Sequence, residues 1–453
     1  MPTWAFALIS IVVAAAAFFG ARLVNNDYVF FAGYTVLQFI VLATAWNILG
    51  GYTGYVNFGS AAFFALGAYS SVALLKFPGI IDTYFGGGVA AFLHQIFPLP
   101  IPVLIVVGGI VSAVVGLGMG YLTLRLRGAF FAIATLAMAV VLQTFIVNWD
   151  YVGGSRGAYI IRPNEIALIG PYIQYLCLLM LALVVLSLTV ARGIERSQLG
   201  YGFATIRDDE LAAEASGVPT LKLKLIATTI SGGLMGMAGA PFPYYIGYLQ
   251  PSSAFGLEYA VNSIAMPMIG GTTSWLGPLI GAILLGTLQQ IATVTISSAV
   301  NLLIVGLLLV DSVIIAPNGI VGLVRDRRAA FTTMVQPPVF ALLYVLNLLP
   351  MFFLIRQGQA GQTIELVFWA ILMFVAYARG QTIGRAWIVV FPMIGALLNV
   401  APITNASPVV STLVLWWSLD ATTIILALIT VVQVAGLACG LAPKSLLAEE
   451  HAK

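Results

Sequence analysis

ERSQLGYGFATIRDDELAAEASGVPTLKLK, residues 195–224, carries nine of the chain's 35 charged side chains. Apolar runs lie on both sides of it, each long enough for the roughly 20 residues of helix that cross a hydrocarbon core of about 30 Å. A charged island between such runs is a loop at a membrane surface. The composition agrees, since 61% of the 453 residues are hydrophobic and only 8% are charged, outside the range of soluble globular chains. The expected fold is all-α, a polytopic helical membrane protein in which no strand is required.

Counting outward from the island gives about ten spans in residues 1–330: 4–24, 29–50, 57–76, 99–124, 129–149, 170–191, 223–247, 258–271, 277–296 and 300–317. The basic run Arg325-Asp326-Arg327-Arg328 and the stretch TTMVQPP mark a boundary near residue 330. Beyond it, 331–453 offers about four more spans, near 337–355, 363–378, 386–402 and 421–441, with Trp416 and Trp417 suited to an interfacial piece. With the N-terminus in the cytoplasm, Arg125, Arg127, Arg192, Arg196, Arg207, Lys222, Lys224, Arg325, Arg327 and Arg328 fall inside. Arg22, Lys76, Arg156 and Arg162 fall outside, and that bias is what the positive-inside rule requires. The island then faces the cytoplasm. No Lys or Arg precedes Arg22, so the first segment reads as a retained helix and not as a cleaved leader.

Inside the island, Arg207 to Pro219 reads as one short helix with both ends marked. Asp208 is the expected N-cap, Asp209 and Glu210 suit the positive end of the helix dipole, Gly217 suits a left-handed position after the last turn, and Pro219 prevents continuation. So short a helix is marginal alone in water and must rest on its own membrane core or on a partner's groove. A solvated loop that happens to be helical is the plainer alternative.

Glu210-Leu211-Ala212-Ala213-Glu214-Ala215-Ser216-Gly217 is close to an E-x-A-A-x-x-x-G pattern, and it resembles the coupling loop of ABC importer permeases. The wider chain is similar to branched-chain amino-acid importer permeases, more to their M-type than their H-type subunit. The likeness runs through NILGGYTGYVNFGSAAFFALGAY (47–69), RLRGAFFAIATLA (125–137), GGSRG (153–157), the island, SGGLMGMAGAPFPYYIGYLQPSS (231–253), IGGTTSWLGPLIGA (269–282) and APNGIVGL (316–323), in order over about residues 30–328. The resemblance implies a bacterial inner-membrane half-transporter. Its partners would be a second homologous permease subunit, two cytoplasmic ABC ATPase subunits docked on the coupling loop, and an extracytoplasmic solute-binding protein. That loop would comprise Arg207, Asp208, Asp209, Glu210, Ala213, Glu214 and Gly217. The chain holds no G-x-x-x-x-G-K-[ST] loop, so ATP and Mg²⁺ are expected on the partner ATPases and no cofactor or metal on this chain.

The paired glycines Gly50-Gly51 and Gly270-Gly271 each end a span and precede polar residues, as a broken helix lining a wet path would. With the span residues Asn47, Asn57, Ser60, Asn262 and Ser263 they are the candidates for the translocation path; Gln143 and Gln289 are further polar groups within spans. An interhelical hydrogen bond is the alternative for each polar group. Gly116 with Gly120, Gly232 with Gly236, and Gly277 with Gly281 have the four-residue spacing of close helix packing. Asp311 interrupts an apolar run near the cytoplasmic end and reads as a structural pairing. Cys177 and Cys439 lie in apolar runs and read as inert core.

Scattered cations without interleaved aromatics argue against nucleic acid, leaving membrane lipid as the surrounding surface. GGSRG matches G-x-S-x-G without a strand-turn-helix setting, and His94 and His451 are the two histidines, so no hydrolase reading follows. An ion-driven carrier or channel would place carboxylates or histidines deep in spans, where only Asp311, Glu365 and Asp420 come near. A membrane scaffold would leave the island unexplained. The scarcity of intramembrane charge favours a small neutral or zwitterionic solute.

Overall fold

The computed structural model describes residues 3–23, 27–79, 81, 97–161, 165–166, 170–295 and 319–325. The chain divides into a unit Met1–Thr287 and a unit Leu288–Lys453. The expected span 300–317 with Asp311, the boundary near 330, the whole of 331–453 and His94 lie outside the described residues.

Fourteen α-helices are described. They are α1 (Thr3–Leu23), α2 (Asp27–Thr53), α3 (Ser60–Lys76), α4 (Ile101–Thr123), α5 (Ala129–Val147), α6 (Tyr172–Glu195), α7 (Gln198–Asp208), α8 (Glu210–Ala215), α9 (Thr220–Gly239), α10 (Phe242–Ile246), α11 (Pro251–Ala254), α12 (Leu257–Gly270), α13 (Leu276–Thr295) and α14 (Gly319–Arg325). A helix stands at each of the first nine expected spans. Five of these (α1, α2, α4, α5 and α6), and α9 taken together with α10, are long and apolar enough to cross a membrane on their own; α3 and the first part of α13 are shorter apolar helices. The expected span 223–247 is interrupted after Gly239, because Pro241 and Pro243 open a new short helix and cannot donate to the old one.

α2 is the axis of the first unit. Every residue from Gln38 to Thr53 is buried, as befits a helix that is apolar around most of its circumference. α1 instead buries only Phe6 and Phe18 and turns most of its apolar surface outward. Phe18 packs with Phe30, Ile173, Cys177 and Leu181, which makes Cys177 the core residue expected of it.

α3, α4 and α9 meet with almost no side chain between them. A Cβ on Gly67 would stand 2.0 Å from the Gly236 carbonyl oxygen, one on Gly236 would stand 2.6 Å from the Gly108 carbonyl oxygen, and one on Gly239 would stand 1.9 Å from that of Phe64. Ser112 donates to the Phe63 carbonyl at 2.9 Å across the same contact. α12 and α13 form a second tight pair, where a Cβ on Gly281 would stand 1.9 Å from the Met266 carbonyl oxygen. Gly232, Gly236, Gly277 and Gly281 thus serve packing, as their spacing suggests.

The chain also contains strands that the sequence reading did not call for. β1 (Ala158–Tyr159) and β2 (Glu165–Ile166) precede α6, as does β3 (Gly170–Pro171), and β4 (Tyr248–Leu249) follows α10. Ala158 pairs with Leu249 and Tyr159 with Tyr248, antiparallel, and β2 pairs with β3. These ribbons and the Tyr151 hydroxyl, which donates to the Ala73 carbonyl at 2.7 Å, mark one end of the bundle. At the other end gather the turns 54–59, 124–128 and 271–275 together with α7 and α8.

Candidate functional site

The short helix expected between Arg207 and Pro219 is α8, and a longer helix of the island, α7, precedes it. α7 runs to Asp208, the chain extends at Asp209 (φ −159°, ψ 111°), and α8 begins at Glu210. The N-cap is therefore Asp209 and not Asp208: Asp209 Oδ1 accepts from the amides of Leu211 (2.9 Å) and Ala212 (3.1 Å). Two adjacent aspartates offer the same cap, and the one that leaves α7 takes it. Asp208 instead lies 3.6 Å from Arg207 Nε, an exposed pair of little energetic weight.

The other end is as expected. Gly217 has φ +84°, its amide donates to the Glu214 carbonyl (3.0 Å), and the Val218 amide donates to that of Ala213 (3.0 Å). This double bond pattern closes a helix at a left-handed residue. Pro219 then precedes the first residue of α9.

α8 rests on the membrane core through three side chains. Ala213 is buried. Glu214 Oε1 accepts from the Thr220 hydroxyl (2.8 Å) and its Oε2 from Arg127 (3.0 Å). Glu210 points inward, where Lys224 Nζ donates to its Oε1 at 2.7 Å and the Tyr55 hydroxyl donates to its Oε2. Lys224, 3% exposed, also donates to the Tyr55 oxygen and the Leu124 carbonyl, both at 3.2 Å, and its ammonium stands 4.6 Å from the Tyr55 ring centre. Arg127 Nε lies 3.6 Å from Glu210 Oε1. Leu211 and Tyr201 are exposed.

Burial raises the Glu210 carboxyl, but hydrogen bonds from Lys224 and Tyr55 and the charges of Lys224 and Arg127 outweigh it and hold the group below its ordinary value of 4.5. A carboxyl lowered in the fold contributes stability that is complete above that ordinary value and is lost as pH falls through the lower folded value. Thermal midpoints of wild type and Glu210→Gln, followed in detergent from about pH 7 to about pH 3, are expected to differ by a constant amount down to pH 4.5 and to converge below it. A gap that widens on acidification would contradict this pairing.

The path candidates are all buried. Gly50 and Gly51 do not end their span: both stay helical inside α2, which continues to Thr53. A Cβ on Gly50 would meet the Trp46 ring at 2.3 Å and one on Gly51 would stand 2.7 Å from the Thr272 carbonyl oxygen. Their smallness serves close approach. The break falls just after, at 54–59, where Gly54 has φ +78° and a Cβ would stand 3.3 Å from Arg207 Cγ. Gly270 closes α12 and Gly271, at φ +117°, leaves it, as expected of that pair.

Within the break, Asn57 Oδ1 accepts from the Gly59 amide (2.8 Å), Trp46 Nε1 donates to the Asn57 carbonyl (2.9 Å), and the Phe58 amide donates to Thr135 Oγ1 (3.2 Å). Ser60, the first residue of α3, has its hydroxyl 2.9 Å from that of Ser263 on α12, so these two candidates meet. Asn262 is buried beside Ser263 on α12, and Asn47 is buried on α2 one turn before Gly51.

Nothing in the sequence singles out Tyr55, and Arg127 and Lys224 mark only sidedness there. Their pairing with Glu210 joins segments up to 169 residues apart, which no local pattern carries. A second unread cluster lies at the same end: the Arg192 guanidinium stands 4.1 Å from the Phe6 ring centre and 5.5 Å from that of Trp275, whose amide donates to Glu195 at 3.0 Å.

A family described as branched-chain amino acid transport system / permease component matches residues 28–313. The chain is 28% identical over 345 residues to the high-affinity branched-chain amino acid transport system permease protein LivM of Salmonella typhimurium, covering 71% of this chain and 75% of that protein. It is 27% identical to LivM of Escherichia coli K12 over the same lengths. It is 24% identical over 284 residues to the probable branched-chain amino acid transport permease protein LivH of Methanocaldococcus jannaschii, covering 60% and 84%. No solved structure matches the chain. With the matched region taking in the axial helix, the glycine-packed bundle and both helices of the polar island, the chain belongs to the family of permease components of branched-chain amino acid transport systems.

Proposed function

We propose that this chain forms one permease subunit of an ATP-driven importer in the inner membrane, working with a second permease, two ATPase subunits and an extracytoplasmic binding protein. The solute is a branched-chain amino acid or another small amino acid, with a related small amide, urea or organic acid as the further candidates. The observation that carries the reading is α8, a capped surface helix that turns Leu211 outward while Glu210 and Glu214 anchor it to the core. ATP and Mg²⁺ belong to the ATPases. The ten-to-four bias of cations supports a cytoplasmic N-terminus, which puts α7 and α8 on the side where an ATPase stands.

The test is uptake of radiolabelled leucine into proteoliposomes, with the binding protein outside and ATP enclosed with the ATPases. ATP-dependent uptake that vanishes when the ATPases are omitted is expected. Uptake by this chain without them would overturn the reading in favour of a self-sufficient carrier. In the same system Gly217→Val is expected to weaken ATPase co-purification while the permease still inserts. No atom lies within 4 Å of the added Cβ, so the cost is the strain of a β-branched residue at φ +84°, on the order of 1–2 kcal/mol confined to the loop. Wild-type recovery of the ATPase with this variant would count against α8 as its docking element.

A further inference from the structure

Three features converge on the irregular segment 54–59. It leaves the end of the buried axial helix α2, and its Gly54 is seated against Arg207 at the end of α7. Its Tyr55 donates to Glu210 of α8, accepts from Lys224, and sets its ring edge-on to Phe131 with centroids 5.1 Å apart. Its far end is held by Asn57, Trp46 and Thr135 and leads directly into Ser60, whose hydroxyl meets Ser263 of α12. A side chain buried between rigid neighbours transmits displacement, because close-packed interiors shift between arrangements and do not deform continuously. α8 itself is too short to store a shift within its own length.

We infer that Tyr55 is a positioning residue for transport: through its hydroxyl it passes movement of the docked helix α8 to segment 54–59, and so to the Ser60–Ser263 contact inside the bundle. Arg127 and Thr220 hold α8 in place through Glu214, and Lys224 holds Glu210 from the core side, so the Tyr55 hydroxyl is the bond from α8 to the segment between α2 and α3. Tyr55→Phe removes that bond and keeps the ring contacts with Phe131 and Lys224.

The inference rests on the reading that α8 meets an ATPase. In the reconstituted importer, leucine taken up per ATP hydrolysed is measured for wild type and Tyr55→Phe, together with basal ATP hydrolysis and ATPase co-purification. Tyr55→Phe is expected to co-purify with the ATPases and hydrolyse ATP at the wild-type basal rate while the ratio falls about tenfold, the factor set by one hydrogen bond to a charged group. A wild-type ratio overturns the inference and leaves the importer reading intact. Proportional loss of uptake, hydrolysis and co-purification also overturns it, since the hydroxyl would then only hold the docking helix in place. Absence of ATP-dependent uptake in wild type would remove both. Arg127→Gln serves as the comparison, because it loosens α8 without touching segment 54–59, and its ratio is expected to stay within about twofold of wild type. An equal fall in both variants would overturn the inference.

Discussion

Gly67→Ala is expected to destabilise the bundle by about 3 kcal/mol or more, seen as loss of monodisperse protein after heating in detergent. The added carbon would stand 2.0 Å from the Gly236 carbonyl oxygen and 2.7 Å from the Gly236 Cα. Those atoms are backbone of α9 and cannot swing aside, so α3 and α9 must separate by more than an ångström. Separation strips contacts from α4 as well, because Gly236 is itself pressed against Ser112 and Gly108. In lipid no hydrophobic driving force pulls the helices back together, so the lost van der Waals packing is not recovered. Gly118→Ala on α4 is the control: nothing lies within 4 Å of its added carbon, and it is expected to be neutral or slightly stabilising. Equal behaviour of the two variants would mean that α3 and α9 do not approach as described.

Lys224→Met is expected to cost about 3 kcal/mol, and Glu210→Gln in the same chain to recover much of it. The methionine leaves Glu210, whose side chain is 13% exposed, facing Tyr55 with only the more distant Arg127 to offset its charge. Removing one member of a buried pair strands the other, and that stranded charge is most of the penalty. Neutralising both removes the penalty together with the attraction. Thermal midpoints of the two single variants and the double variant close a cycle, and their non-additivity measures the pairing. Additive losses would show that Lys224 and Glu210 do not share one hydrogen-bonded site.

Much of the polar island was legible because its signals are local. Gly217 and Pro219 mark an end whatever surrounds them, and the helix between is written in Glu210 to Ala215. The cap slipped by one residue because Asp208 and Asp209 are chemically alike, and the choice between them depends on how far α7 continues. Gly50-Gly51 misled for a deeper reason. A glycine pair serves freedom of the backbone or nearness of a neighbour equally well: the Trp46 ring lies one turn back on the same helix, but Thr272 reaches Gly51 through a tertiary fold that spacing does not encode. The break was therefore read a few residues early. The Tyr55–Glu210–Lys224 cluster had no local trace, since a tyrosine in a loop and a lysine at a helix start are ordinary by themselves. The Ser60–Ser263 meeting was half visible: each residue stood out as polar within an apolar span, but their contact depends on how α3 and α12 pack.

The burial of α2 on every side from Gln38 onward has a consequence for how the chain is made. Gln38 reaches the Ala238 carbonyl (3.4 Å), and the helix that supplies that acceptor begins at Thr220, about 170 residues after α2 ends. At ribosomal speeds of about 5–20 residues per second, that interval is roughly 10–30 s. Throughout it, α2 has left the ribosome without the wall that will enclose it, its glutamine and Asn47 facing lipid or the insertion machinery. A stalled ribosome anywhere between α3 and α9 would prolong this exposure, so slow codons in that stretch are expected to lower the yield of inserted protein more than slow codons after α9.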